Sequence, residues 1–184
     1  VDPQVLAIRQ TTDEFSPLKI VNVTGPSHHF WNYVPHVISA LVSALGPGIE
    51  EVFAHDLVLD KEGISIRNPL VIFFRYREDS AVGPVRGTLQ VVPGEQSGDW
   101  YGFRMKVFGR KESPEYTLFR TPEGESSWMP IYRLLIDFFR EGKRPFPDEE
   151  LLEVPLVLDM IRKSGLEKRA VLRSEYKELY SLND

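Results

Sequence analysis

Residues 28–46 constrain the fold more than any other stretch, because they read as a helix with two different faces. At ~3.6 residues per turn, the apolar residues fall on one broad side: Phe30, Val34, Val37, Ile38, Leu41, Val42 and Leu45. The opposite side carries no Lys, Arg, Asp or Glu, and consists of His29, Asn32, His36, Ser39 and Ser43. A helical face exposed to water usually carries charge. This polar row therefore predicts a surface that faces a cleft or a partner.

Pro35 limits where this helix can begin, because proline lacks an N–H and clashes with the preceding turn of a helix. In the first turn a proline is harmless, since the N–H groups there have no helical partner. The helix is predicted either to begin near Tyr33, with Asn32 as a possible N-cap, or to begin earlier and bend at Pro35. Gly46 and Pro47 are predicted to end it.

Short β-type segments separated by turns follow this helix, and one precedes it. The predicted strands are residues 19–24, 51–59, 64–66, 70–76, 85–92, 101–108 and 115–120. Residues 101–107 alternate between apolar and other side chains, which is typical of a half-buried strand. Because strands follow one another instead of alternating with helices, the pattern favours an antiparallel sheet.

Two further helices are predicted near the end of the chain. The first follows Ser126 and Ser127 as caps, ends at Gly142, and has a predicted core stripe of Trp128, Ile131, Leu134, Leu135, Phe138 and Phe139. The second opens with the acidic residues 148–150, ends at 163–165, and has a predicted stripe of Leu151, Val154, Leu158 and Ile161. Pro155 should kink it. The predicted class is α+β: one domain over residues 1–184, with helices packed on one face of a mostly antiparallel, open sheet.

Composition excludes several classes of protein. At 42% hydrophobic and 27% charged residues, the chain is of the globular type. Its net charge of −5 makes nucleic acid an unsuitable partner, since phosphate binding needs concentrated Lys and Arg. No apolar run approaches the ~20 residues that span a bilayer. The absence of cysteine excludes disulfides and thiolate chemistry, and cytoplasm is the simplest predicted location.

The sequence lacks the motifs that would indicate a nucleotide-binding site or a metal site. The sequence has no G-x-G-x-x-G or G-x-x-x-x-G-K-[ST] pattern, no G-x-S-x-G and no H-E-x-x-H. His28, His29 and His36 lack a nearby carboxylate at metal-ligand spacing. Adjacent histidines on a helix also point ~100° apart, so no metal site is predicted.

Two segments carry a resemblance to a known family. The first is P-H-V-I-S-A-L-V-S-A-L-G, residues 35–46, and the second is residues 131–164, with a closing helix, a G-x-x-P turn at 142–145 and a last helix ending near Ser164. Both are similar to the glucose–fructose oxidoreductase, inositol dehydrogenase and MocA family, whose helix reads roughly D-x-x-x-H-x-x-D before a terminal L-G. The order of elements also fits, so the resemblance covers most of residues 18–173.

The resemblance implies a two-part enzyme, of which this chain is the second part. In that family an N-terminal Rossmann domain binds NAD or NADP. A C-terminal α+β domain, similar to that of dihydrodipicolinate reductase, supplies substrate contacts and often an oligomer interface through its sheet. The missing glycine-rich turn and the start at Val1 suit this interpretation. The implied partners are the nucleotide-binding domain, further copies of the chain through the sheet face, and a sugar, polyol or related hydroxy compound. The chain alone would bind no cofactor and be inactive.

The resemblance also assigns candidate site residues. His36 stands at the family's histidine, which contacts the reacting oxygen and handles its proton; a pKa near ~6.5 suits an imidazole to that role. Asn32 stands where most members have Asp, and its amide can bind a hydroxyl but cannot act as a base. Ser39 replaces the second Asp. His29 and Tyr33 complete the candidate substrate-binding set.

Simpler interpretations stand beside these. Without the resemblance, His36 is a surface or structural histidine, and Asn32 is a helix cap. His29 could be solvated in the loop before the helix, Tyr33 could be a packing residue, and His55 with His28 an ordinary surface group. The rival function is a non-enzymatic module, in which the same sheet serves for dimerisation or for binding a small ligand.

Overall fold

The computed structural model describes residues 20–26, 29–55, 57–59, 66, 68–92, 103–109, 113–118, 129–142 and 144–180. The elements in chain order are β1 (Ile20–Pro26), α1 (Phe30–Leu45), β2 (Ile49–His55), β3 (Leu70–Tyr76), β4 (Arg86–Val92), β5 (Phe103–Phe108), β6 (Glu115–Leu118), α2 (Met129–Glu141), α3 (Asp148–Glu167) and β7 (Val171–Leu172). Parts of the strands predicted at 64–66, 101–108 and 115–120, and the caps Ser126 and Ser127, lie outside the described residues.

The strands form one seven-stranded sheet in the order β6-β5-β1-β4-β3-β2-β7. Every neighbouring pair is antiparallel except β1 and β4, which run parallel with Val23 opposite Leu89. The prediction of a mostly antiparallel sheet in an α+β fold is confirmed. The parallel pair arises because α1, β2 and β3 separate β1 from β4 along the chain, and period-two patterns in single strands cannot reveal it.

The helices α1 and α3 cover one face of this sheet. Helix α1 packs on β1 and β4, α3 packs on β2, and the two helices pack against each other. The strands alternate accordingly, so that in β3 Ile72 and Phe74 are buried while Phe73 between them is half exposed on the other face. The other face of the sheet carries no described helix.

Helix α1 buries its predicted apolar stripe completely, and every one of its members is at most 3% exposed. Of the two predicted starts, the earlier one is confirmed, and Asn32 is not the N-cap: the helix begins at Phe30, and His29 occupies the cap position. Burial of Phe30 explains the earlier start, since the side chain reaches the core only if the helix extends back one turn. Pro35 therefore lies in the second turn. Gly46 ends the helix with a φ of 80°, as predicted.

Helix α3 begins at Asp148, as the acidic residues 148–150 predict, but it ends later than predicted. It runs through Gly165 to Glu167, and Lys168 ends it in the left-handed region with a φ of 56°. Gly165 is inside the helix because Leu57 packs where its side chain would be: an added Cβ would lie 2.4 Å from Leu57 Cδ2. Leu151 is exposed, whereas Leu158 and Ile161 are buried as predicted.

Helix α2 ends at Gly142 as predicted, with a φ of 66°. Its predicted core stripe is wrong for Leu135, Phe138 and Phe139, which are exposed; Trp128 lies outside the described residues. The physical reason is that α2 packs little against the other described helices and strands. Its amphipathic pattern is real, but the covering surface is not in the described part of this chain.

Glu153 on α3 is a fully buried carboxylate that fastens three parts of the chain together. Its Oε1 accepts hydrogen bonds from the backbone N–H groups of Gly48 at 2.9 Å and Ile49 at 2.7 Å, just after α1. Its Oε2 accepts one from Arg173 Nη1 at 2.6 Å, in the 3-10 turn that follows β7. Burial, and secondarily the Glu153 charge, raises the pKa of Tyr76 well above its ordinary value. Tyr76 is therefore neutral, and it donates a hydrogen bond to the Gly46 carbonyl at 3.0 Å.

We predict that Glu153→Ala lowers the free energy of unfolding by about 3–5 kcal/mol, because it leaves two buried N–H groups without their acceptor and removes the carboxylate that pairs with Arg173. Urea unfolding of the chain measures this change. Glu149→Ala, at an exposed carboxylate one turn earlier on the same helix, is the matched control and should cost less than about 1 kcal/mol. Equal losses for the two variants would contradict the assignment.

Candidate functional site

The predicted site residues lie on the side of α1 that faces away from the core. His29, Asn32 and His36 are exposed, while Tyr33 and Ser39 are half-buried. Because residues three and four apart share a helix face, Asn32, His36 and Ser39 form one continuous row. Packing of the apolar stripe on the opposite side of α1 fixes the direction in which this row faces.

Two aromatic rings flank the imidazole of His36. The Tyr33 ring lies one turn earlier on α1, with ring centroids 5.9 Å apart. The Phe103 ring comes from the start of β5, with its centroid 6.2 Å from that of His36 and its plane at 67° in an edge-to-face arrangement. The structure therefore brings together Tyr33 and His36, and it adds Phe103, which the sequence placed only in an alternating strand.

Gly25 at the end of β1 makes room for Phe103. A Cβ at Gly25 would lie 2.5 Å from Phe103 Cδ1 and 2.8 Å from Val37 Cγ2, closer than real Cβ atoms approach. Phe103 itself is 3% exposed, so its ring is held between β1 and α1. The sequence signal for this contact is a glycine near the end of one strand, Gly25, together with an aromatic residue at the start of another, Phe103. That pairing needs the sheet order, which the sequence does not supply.

The electrostatics of His36 follow from this packing. Partial burial lowers the pKa of the imidazole below its ordinary value, because loss of water disfavours the charged form. His36 is therefore neutral at physiological pH. A neutral imidazole offers one N–H hydrogen-bond donor and one acceptor nitrogen, and that nitrogen can take the proton of a hydroxyl group.

The beginning of α1 sets the positions of His29 and Asn32. The His29 carbonyl accepts hydrogen bonds from the N–H groups of Asn32 at 3.3 Å and Tyr33 at 3.1 Å, which closes the first turn. Asn32 thus lies in the first turn of the helix and not at its cap. Its amide group is exposed beside the N-terminal end of the helix, where backbone N–H groups and the helix dipole favour acceptor groups of a ligand.

Neither a metal site nor a membrane span is found in the part of the chain that the structure describes. No three His, Cys, Asp or Glu side chains there are grouped closely enough to hold a metal ion. Among the same residues, no helix is both long and apolar enough to cross a bilayer. His55, which the sequence placed on the surface, is exposed at the end of β2; His28 lies outside the described residues.

No protein-family model matches the sequence, and no curated protein sequence matches it. The structure does match solved structures. An oxidoreductase from Sinorhizobium meliloti is 17% identical with a TM-score of 0.68, and the match covers 92% of this chain. The WlbA dehydrogenase from Bordetella pertussis, solved with NADH and UDP-GlcNAcA, is 15% identical with a TM-score of 0.67 over 92% of this chain.

A scyllo-inositol dehydrogenase from Lactobacillus casei, solved with NAD(H) and scyllo-inositol, is 10% identical with a TM-score of 0.67 over 94% of this chain. At these identities the likeness concerns the fold alone. The chain spans only 59–62% of the length of these three proteins. The described fold is thus similar to the larger part of several dehydrogenases, and each of them has a further part that this chain does not match.

Proposed function

We propose that this chain is the C-terminal, substrate-binding and assembly domain of an NAD(P)-dependent oxidoreductase of the glucose–fructose oxidoreductase, inositol dehydrogenase and MocA family. The observation that carries the proposal is the fold match over more than nine tenths of this chain, against only 59–62% of each dehydrogenase. The residue pattern around His36 supports the same family independently. In this proposal, residues 1–184 form one domain of the type found in dihydrodipicolinate reductase.

The nucleotide belongs to the other domain. The end of β1 and the residues that join it to α1 stand where a dinucleotide-binding loop would follow a strand, but the sequence there is Gly25-Pro26-Ser27-His28-His29, with only one glycine. Pro26 also lacks the N–H that would face a phosphate. These residues do not fit a dinucleotide, so NAD or NADP would be held mainly by an N-terminal Rossmann domain. The cofactor would exchange the hydride there, and this chain would position the substrate.

The substrate would be a sugar, polyol or related hydroxy compound. Two of the matched dehydrogenases were solved with such molecules, UDP-GlcNAcA and scyllo-inositol. In this chain the polar row of α1 offers neutral hydrogen-bonding groups without a Lys, Arg, Asp or Glu side chain. Neutral donors and acceptors suit hydroxyl groups, which carry no charge to pair.

His36 would transfer the proton of the reacting hydroxyl. Its pKa is below the ordinary value, so the neutral imidazole can accept that proton during oxidation. In the reverse reaction, the protonated ring would give the proton to the carbonyl oxygen. Asn32, one turn earlier, can orient the hydroxyl but cannot accept its proton. Ser39, His29 and Tyr33 would contact the remaining hydroxyl groups or frame the ring of the substrate.

Assembly would use the open face of the sheet. This face carries exposed apolar side chains, with Ile20 47% exposed, Phe73 49% and Val92 42%. The covered face is already occupied by α1 and α3, so a second copy of the chain would pack on the open one. Cytoplasm is the proposed location, which the absence of cysteine suits.

The alternative is a non-enzymatic module that dimerises or binds a small ligand. Asn32 and Ser39 favour it, because they replace acidic residues of the resembled family's helix. In that case the same polar row would bind a ligand without proton transfer, and His36 would contribute only hydrogen bonds.

The test of the proposed function uses the longer protein encoded by the reading frame upstream of Val1. A G-x-G-x-x-G strand–helix unit there, with NAD(P)-dependent oxidation of polyols, is the expected result. In that protein His36→Ala should lower kcat by about 10²–10⁴-fold, the usual contribution of a general acid–base group, with its melting temperature preserved. His55→Ala, at an exposed histidine on β2, is the control and should keep full activity. A native start codon close to Val1, or unchanged kcat for His36→Ala, would contradict the proposal.

The packing around His36 gives a second prediction, which the 184-residue chain alone can test. Phe103→Leu removes the ring that shields the imidazole, so water should reach His36 and raise its pKa toward the ordinary ~6.5. Phe108→Leu, on the same strand but on the open face, should leave that pKa unchanged. An NMR titration of the histidine ring protons measures both. A His36 pKa that is identical in the wild type and the Phe103 variant would show that Phe103 does not set it.

A further inference from the structure

Helix α2 presents an uncovered apolar stripe. Tyr132, Leu135, Ile136 and Phe139 recur at the i, i+3, i+4 and i+7 positions of one helical side. They are 52%, 44%, 47% and 80% exposed. We call these four residues the α2 stripe. The other side of the helix carries the charged residues, namely Arg133, Asp137, Arg140 and Glu141. The helix therefore has one apolar side and one charged side.

The α2 stripe is unlike the apolar sides of the other two helices. The stripe of α1 is buried throughout, and α3 buries Leu156, Val157, Met160 and Ile161. A helix with one apolar and one charged side gains stability only when the apolar side is covered. Contiguous exposed apolar patches of this kind usually mark a contact surface.

The geometry points to one occupant: we infer that the α2 stripe docks the nucleotide-binding domain of the longer protein, an inference that rests on the proposed function. The matched dehydrogenases have roughly two fifths of their length beyond the part that this chain matches, and the match takes in almost all of this chain. The further part of such a protein must contact the matched part somewhere. Leu151, Leu152 and Leu166 of α3 are exposed as well, but among the described helices α2 is the one whose apolar stripe is exposed along its length.

The size of the stripe favours a tethered domain over a second copy. Four large side chains bury on the order of a few hundred Å² when covered, since a whole aromatic residue buries about 150–250 Å². A stable interface between separate molecules needs about 800 Å² from each partner. Domains within one chain contact each other through smaller areas, because their covalent link keeps the effective concentration high.

The experiment compares the 184-residue chain with the longer protein. Leu135→Ser with Phe139→Ser removes the centre of the α2 stripe. Asp137→Ser with Arg140→Ser is the matched control on the charged side of the same helix. We expect the stripe variant to lower the melting temperature of the longer protein by ~4 °C or more, and to change that of the 184-residue chain by less than ~1 °C. The control pair should change the melting temperature of either protein by less than ~1 °C.

Three outcomes would overturn the inference. Equal loss of stability in both proteins would show that the stripe packs against this chain's own residues. No loss in either would show that it docks nothing. A dimer of the 184-residue chain that only the stripe variant dissociates, in analytical ultracentrifugation, would assign the stripe to a second copy.

Calorimetric titration with NAD and NADP separates this inference from the proposed function. If the longer protein binds a nucleotide and the stripe variant melts like the wild type, only the docking inference fails. If the longer protein binds neither nucleotide, the proposed function fails, and the assignment of the stripe to a nucleotide-binding domain is overturned with it.

Discussion

Burial of the apolar stripe of α1 against the sheet is the constraint on which the rest of the structure depends. Because this stripe is at most 3% exposed along its whole length, the helix cannot rotate without exposing core side chains. Its opposite row, with Asn32, His36 and Ser39, must therefore face outward. The position of the candidate chemistry is thus a consequence of core packing, and no interaction within the polar row is needed to hold it.

Because α1 and α3 pack on one face of the sheet only, the other face of the sheet remains open in the described part of the chain. One face, covered by α1 and α3, forms the core, and Glu153 fastens α3 to the turn after α1 and to the segment after β7. Under the proposed function, the open face would serve for assembly, the outer row of α1 for substrate binding, and the α2 stripe for contact with a neighbouring domain.

The sequence predicts this architecture well where local patterns decide it. The buried stripe of α1, the extent of β3 and the C-terminal ends of α1 and α2 follow from periodicity and from glycine. It fails where distant residues decide. Glu153 breaks the apolar pattern of α3, and its burial depends on Arg173 and on backbone N–H groups more than a hundred residues away. Phe103 contacts His36 because β5 pairs with β1 in the sheet, and the sequence does not reveal that pairing. The apolar stripe of α2 predicts that another surface packs on it, but the sequence does not identify that surface.

The accessibility of His36 tests the central claim most directly, namely that its ring lines a cleft completed by another domain. Diethyl pyrocarbonate modifies exposed, neutral imidazoles, and mass spectrometry of peptides gives the rate for each histidine. The account predicts slower modification of His36 in the longer protein than in the 184-residue chain, measured against His55 as the internal reference. An equal rate for His36 in the two proteins would contradict it.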